Sequence, residues 1–234
     1  MISLGAIVGI YQFNNESVQG NHIYIMMKEL QKFLVDDAVL WQQKNIFLGC
    51  HSTRMICESV EEDLPNCYNA RLLAITADTE VANRNELFDS LEINRLKRAS
   101  LRDSELILLA YQKWGEELPR YLVGDFAFMI WDGKEQKLFG ARDYSGTRPI
   151  YYFHDQKHFA FCTLIQPLLL LPFVDKSFNE VWIADFFLGS PDGSDSINPS
   201  STIYKNIIQV PPSHTISVCD GLVKVKKYSH FINR

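Results

Sequence analysis

The side chains with the greatest chemical reach here are five cysteines: Cys50, Cys57, Cys67, Cys162 and Cys219. A thiol attacks only when something lowers its pKa or takes its proton, and no family-type nucleophile signature surrounds any of them. Cys50 and Cys162 fall in strand-like apolar runs, where Cys acts as a small buried hydrophobe. An odd count without CxxC spacing suits reduced thiols in a cytoplasmic protein rather than a disulfide framework. Zinc needs closely paired ligands, and Cys50-His51 is the one adjacent Cys/His pair, so no metal site is expected. P-loop, GxGxxG and GxSxG patterns are missing from the sequence. What remains is charged: Arg54, Asp78 beside Thr79, Asp103 at a helix start, and Arg142-Asp143 followed by Gly146.

Those groups must be held by neighbouring elements. Gly5–Phe13 reads as a buried strand ended by the polar Asn14-Asn15-Glu16-Ser17 turn. His22–Leu34 has helical apolar spacing. Asp37–Trp41 and Asn45–Cys50 are two short strands, and Glu58–Asn66 is an acidic loop. Arg71–Ala77 is a further strand, leading to a helix with Asn83 as N-cap. Ser100–Trp114 is the clearest helix, with Asp103 placed favourably against its dipole. Val123–Trp131 and Lys137–Ala141 form a hairpin around Asp132-Gly133. A second strand pair is Pro149–Phe153 with His158–Cys162. Short helices at Leu164–Leu171 and Asn179–Leu188 follow, then a Gly/Ser/Asp/Pro loop to Ser201. The strands His214–Cys219 and Val223–Tyr228 turn at Asp220-Gly221. Strand pairs with helices grouped between them indicate an α+β fold.

At 234 residues, 47% hydrophobic and 22% charged, the chain can bury a large core without staples. Fifteen Phe and ten Tyr suit an aromatic-rich sheet interior. The net charge is -5 and the densest basic stretch is Lys224, Lys226 and Lys227, alternating along a strand as a solvated face does. That excludes a nucleic-acid footprint or an anionic membrane surface. The apolar run Leu164–Val174 is broken by Pro167 and Pro172 and falls short of a bilayer span.

Several short matches in order then point to a family. Leu122-Val123-Gly124-Asp125-Phe126-Ala127-Phe128 and Ala141-Arg142-Asp143-Tyr144-Ser145-Gly146-Thr147-Arg148-Pro149-Ile150-Tyr151-Tyr152 resemble the L-x-G-x-F-A-F and A-R-D-x-x-G-x-x-P-L-Y-Y text of the class II glutamine amidotransferase domains of asparagine synthetases. Val210-Pro211-Pro212-Ser213-His214 is similar to the family's L-P-P-G-H, and Asp103-Ser104-Glu105 to its S-D-T-E. The resemblance implies a four-layer α/β/β/α sandwich of the N-terminal-nucleophile type, spanning 1–234 as one domain. It also implies a C-terminal or separate ATP-dependent synthetase half as partner; ATP and Mg are expected only there, with no cofactor in this domain.

The resemblance implies chemistry that the residues do not match. The family begins M-C-G-I-x-G-I-Y, and its N-terminal Cys supplies both thiolate and α-amine. Here Gly5-Ala6-Ile7-Val8-Gly9-Ile10-Tyr11 puts Gly5 at the nucleophile position, with no side chain, so no catalytic residue is assigned. Ser3, exposed by a cut after Ile2, would sit two residues out of register. Asp78 stands where an oxyanion-hole Asn belongs, with Thr79 beside it. Asp103 matches the position that holds the substrate α-amino group, and reads equally as a helix-start carboxylate. Arg54 matches the substrate-carboxylate Arg only with a register slip, and reads equally as a surface charge. Arg142-Asp143 and Gly146 read as a turn pinned by an ion pair and a glycine. Ala77-Asp78-Thr79-Glu80-Val81-Ala82-Asn83-Arg84-Asn85-Glu86-Leu87 resembles the A-D-A-R-L-D-N-R-x-E-L of lasso-peptide macrolactam synthetases, whose domains lack the cysteine, as do those of β-lactam synthetases. The expected role is therefore a scaffold without glutaminase activity, with a peptide substrate and a homodimer as open partner assignments. The alternative is an active domain of a glutamine-hydrolysing asparagine synthase.

Overall fold

A strand that is apolar on both faces is satisfied only between two covering layers, and β1 (Ala6–Gln12) is buried along its whole length. The computed structural model describes residues 5–32, 38–51, 73–188 and 198–228. After β1 come α1 (Gly20–Gln31), β2 (Ala38–Gln43), β3 (Ile46–His51), β4 (Leu73–Val81), α2 (Arg84–Ser90), α3 (Arg95–Arg98) and α4 (Asp103–Trp114). A 3-10 segment, Gly115–Tyr121, leads to β5 (Gly124–Asp132), β6 (Lys137–Arg142), β7 (Tyr151–His154) and β8 (His158–Cys162). The rest is α5 (Ile165–Leu169), α6 (Glu180–Leu188), β9 (Ile208–Gln209), β10 (His214–Cys219) and β11 (Leu222–Lys227).

The strands form two antiparallel sheets, ordered β2-β3-β1-β8-β7-β9 and β11-β10-β6-β5-β4. Side chains alternate between faces, and the three apolar clusters follow that alternation. Between the sheets, Ile7, Tyr11, Leu48 and Phe161 meet Ala127, Met129, Trp131 and Ile216. The outer face of the first sheet, through Val8, Ile10 and Phe47, packs with Met26 and Leu30 of α1 and Leu168 of α5. The outer face of the second, through Ile75, Phe126, Phe128 and Phe139, packs with Leu87 of α2 and with Leu106 and Tyr111 of α4. Helix, sheet, sheet, helix is the α+β four-layer sandwich expected.

Two glycines shape the inner layer. Gly9 lies opposite Phe161, and a Cβ there would sit 2.3 Å from the Phe161 ring. In the other sheet Gly140 lies opposite Met129, whose sulfur would be 2.1 Å from an added Cβ. In each pair the large side chain folds across the bare backbone of its neighbour.

Several boundaries differ from expectation for identifiable reasons. The first helix begins at Gly20 because the Gln19 carbonyl accepts from the His22 and Ile23 amides, adding a turn before His22. β4 continues beyond Ala77 to Val81 because β5 remains beside it as far as Gly124. α4 starts at Asp103 rather than Ser100, where the Arg102 amide donates to Glu105 Oε2 at 2.6 Å. Asn83 does precede α2, yet it ties rather than caps. Its amide donates to the Tyr121 carbonyl at 2.9 Å and accepts from the Val123 N–H at 3.0 Å. Asp132-Gly133 is not the tight turn expected: Asp132 still pairs with Lys137, and its carboxylate accepts from the Lys134 and Glu135 amides, leaving a four-residue loop closed by Gln136 at φ 48. Asp220-Gly221 is tight, with φ values of 49 and 75. The two-residue β9 has too little sequence to carry a period, and the loop at Glu58–Asn66 lies outside the described residues. No helix among the described residues is long and apolar enough to cross a membrane.

Candidate functional site

The site is built where β1 begins. β1 is anchored to the end of β8, with the Ile7 amide donating to Thr163 Oγ1 at 3.3 Å and the Thr163 amide to the Ile7 carbonyl at 3.0 Å. Gly5 therefore has a fixed place, one residue before the first sheet pair. Facing it is Asp78 on β4, one of the strand's inward positions together with Ala74 and Thr76. A Cβ at Gly5 would lie 2.7 Å from Asp78 Oδ1 and 2.9 Å from its Cγ. Real Cβ atoms do not approach that closely, so the carboxylate occupies the volume a side chain at position 5 would need.

The Asp78 carboxylate is itself held. Arg148 Nη1 donates to Asp78 Oδ2 at 3.2 Å, and the two side chains are 7% and 6% exposed. Arg148 is carried on the turn after β6, and Asp143 builds that turn. The fully buried Asp143 carboxylate accepts from the Thr147 and Arg148 amides at 2.9 Å each and from Ser145 Oγ at 2.8 Å. Gly146 has φ +73, and a Cβ there would meet Pro212 at 2.6 Å, so the turn needs glycine. Arg142 does not make the ion pair with Asp143 expected from sequence. Its guanidinium donates to the Val210 and Gly146 carbonyls at 2.7 and 2.5 Å. Burial pushes the Arg142 pKa down, against the opposing field of Asp143. Tyr228 closes the assembly by donating to the Arg142 carbonyl at 2.7 Å, and burial raises its phenol pKa.

Asp103, at the first position of α4, is also engaged. Oδ2 accepts from the Val81 amide at 2.8 Å, and Oδ1 accepts from Arg84 of α2. Arg84 is fixed further by donating to the Leu101 carbonyl at 2.6 Å and lying over the Phe88 ring. Asp103 thus meets the end of β4 at Val81, three residues and roughly 10 Å of strand rise beyond Asp78.

The structure thus brings Gly5 and Asp78 together and sets Asp103, on α4, against the end of the same strand. Thr79, one residue from Asp78, faces the other way by strand alternation, into the helix-covered side, and is 1% exposed. Arg54 lies outside the described residues. Arg148 and Arg84, which pair with the two carboxylates, were given no role from sequence; Arg148 hides inside a turn motif and its partner is 70 residues away. Cys50 and Cys162 are buried thiols, and burial pushes Cys162 up to about 12, a poor nucleophile. Among the described residues no three His, Cys, Asp or Glu groups converge as a metal site.

The glutamine amidotransferase domain family matches residues 4–229. Among curated relatives, an asparagine synthetase (glutamine-hydrolyzing) of Bacillus subtilis is 26% identical over 219 residues, covering 92% of this chain and 35% of its own length. A second, from Oryza sativa, is 29% identical over 126 residues, 53% of this chain and 21% of its own. The chain thus spans about a third of the first relative's length. Among solved structures, the glutamine phosphoribosylpyrophosphate amidotransferase of B. subtilis superposes with a TM-score of 0.60 at 14% identity, covering 98% of this chain and 50% of that one. At that identity the likeness is one of fold.

Proposed function

The chain belongs to the glutamine amidotransferase domain family, and from that premise we propose that it is the non-hydrolysing amidotransferase-type domain of an asparagine-synthetase-like, ATP-dependent amide-forming ligase. One observation carries the reading: the Asp78 carboxylate fills the space beside Gly5 where the family's nucleophile would project. A carboxylate there also opposes a developing oxyanion, and loss of a single donor at such a point costs about 2.7–4 kcal/mol. A second observation supports it. Asp103, matched to the group that receives a substrate ammonium, is already neutralised by Arg84.

On this reading the domain is a scaffold within 1–234, and ATP with Mg belongs to the synthetase half. That half would activate a carboxylate as an acyl-adenylate, releasing pyrophosphate, and an amine of the substrate would displace AMP. Ammonia is then unnecessary. Asn83-Arg84 lies in the stretch that resembles lasso-peptide macrolactam synthetases, and Arg84 is the residue that closes off Asp103, which favours a peptide substrate of that class. The names of the curated relatives favour the other reading, a glutamine-hydrolysing domain. Incubating the purified protein with glutamine and measuring glutamate separates the two. The expected release equals the uncatalysed background; turnover abolished by a thiol- or Ser-directed glutamine analogue would establish the hydrolysing reading instead.

A further inference from the structure

A helix that is apolar on all sides is stable only when covered. α6, Glu180–Leu188, has the sequence Glu-Val-Trp-Ile-Ala-Asp-Phe-Phe-Leu and no buried residue. Val181, Phe186, Phe187 and Leu188 are 70%, 61%, 79% and 79% exposed. Trp182 stacks on Phe186 with ring centroids 5.3 Å apart, which presents one continuous aromatic face. The helix is nevertheless fixed to the domain. Asn179 accepts from the Trp182 amide at 3.2 Å and donates to the Thr202 carbonyl at 3.3 Å, while Phe178 bridges to Tyr204 and stacks on its ring. An anchored helix with this much exposed aromatic surface marks an interface.

We infer that α6 docks the synthetase part of the ligase, an inference that rests on the multidomain parent proposed above. The chain spans 35% of the length of the B. subtilis relative, so most of such a polypeptide lies outside this sandwich and has to meet it somewhere. The composition of α6 suits a permanent protein contact: aromatic and aliphatic at the centre, with Glu180 and Asp185 its only charges. Both are acidic, which disfavours anionic lipid headgroups. A second copy is disfavoured as well, because α6 carries two acids and no base, so pairing it with itself would gather like charges with nothing to offset them. The complementary surface is therefore an apolar groove with a basic rim opposite Glu180 and Asp185.

The test uses the intact protein from its gene, with any co-purifying synthetase polypeptide, carrying p-benzoylphenylalanine in place of Phe187. After irradiation and mass mapping, the expected adducts lie on synthetase sequence outside residues 1–234. Adducts confined to residues 1–234 of the same chain, adducts to a second copy or to lipid, or no adduct at all would each overturn the proposal. Phe186→Ser with Phe187→Ser alters only exposed positions, and it should speed hydrogen exchange of the mapped synthetase peptides at least tenfold; unchanged exchange also overturns it. The two readings fail separately. Glutamine turnover in the same sample would end the scaffold reading and leave the docking intact, whereas a docked helix covered by its own domain would do the reverse.

Discussion

Placing an alanine at position 5 tests the central geometry directly. The new Cβ would sit 2.7 Å from Asp78 Oδ1 and 2.9 Å from Cγ, well inside contact distance. Asp78 cannot simply swing aside, because its other oxygen receives the Arg148 guanidinium at a site where both side chains are nearly sealed from water. Overpacking of this kind costs about 1–3 kcal/mol, and for a domain of this size each kcal/mol lowers Tm by roughly 2–4 °C. Asp78→Ala removes the two nearest atoms, leaving only its Cβ at 3.2 Å, but breaks a buried ion pair, a loss of about 3–5 kcal/mol. Gly5→Ala should then cost much less in the Asp78→Ala background, so the double-mutant cycle should show a coupling free energy of about 1–3 kcal/mol. Urea unfolding followed by circular dichroism measures it, with an unchanged m-value confirming that only stability moved. If Gly5→Ala proves neutral within about 0.5 kcal/mol in the native background, position 5 has room for a side chain and the argument against a nucleophile there collapses.

Other expectations follow from the same interior. Gly146→Ala forces a Cβ onto a left-handed backbone and against Pro212, and should lower stability by about 1–3 kcal/mol, read by thermal melting. Cys162, its thiol raised to about 12 by burial, should escape iodoacetamide at pH 8 in the folded protein and react fully after denaturation; native labelling at that site would contradict the packing. Burial, aided by the nearby His158, lowers the His22 pKa below its ordinary 6.5. The folded state thus favours neutral His22, so this stabilisation is fully present above pH 6.5 and lost as pH falls through the lower folded value. His22→Phe should flatten that part of the stability–pH curve, and an unchanged slope would refute the assignment.

The elements legible in the sequence were those with a continuous or alternating apolar run of their own. β1, β3, β8 and β10 announce themselves because each is buried on one or both faces, and the order of hairpins and helices then leaves an α+β sandwich as the economical arrangement. Turn chemistry was readable where the local residues decide it, as at Asp220-Gly221, and misleading at Asp132-Gly133, where a neighbouring strand extends the pairing by one more residue. At the site, the bare position 5 and the acid at position 78 could be seen individually. Their meeting could not, because β1 and β4 belong to different sheets and Arg148 reaches Asp78 across 70 residues of chain. The closure of Asp103 by Arg84 joins two helices, and no local pattern encodes which guanidinium a carboxylate will choose.

The facing of Gly9 by Phe161 and of Gly140 by Met129 has a consequence for how the two sheets find their alignment. A hydrophobic surface alone would let strands slide, since one greasy contact resembles the next. Here a slip of one residue would turn the ring and the thioether out of the shared interior, and a slip of two would drive Phe161 against Ile7 or Tyr11 and Met129 against Leu138 or Arg142, leaving a gap over each abandoned glycine. The missing side chains act as sockets, one in each sheet, and they specify register by exclusion: only the native pairing lets both sheets lie close enough for the shared interior to close.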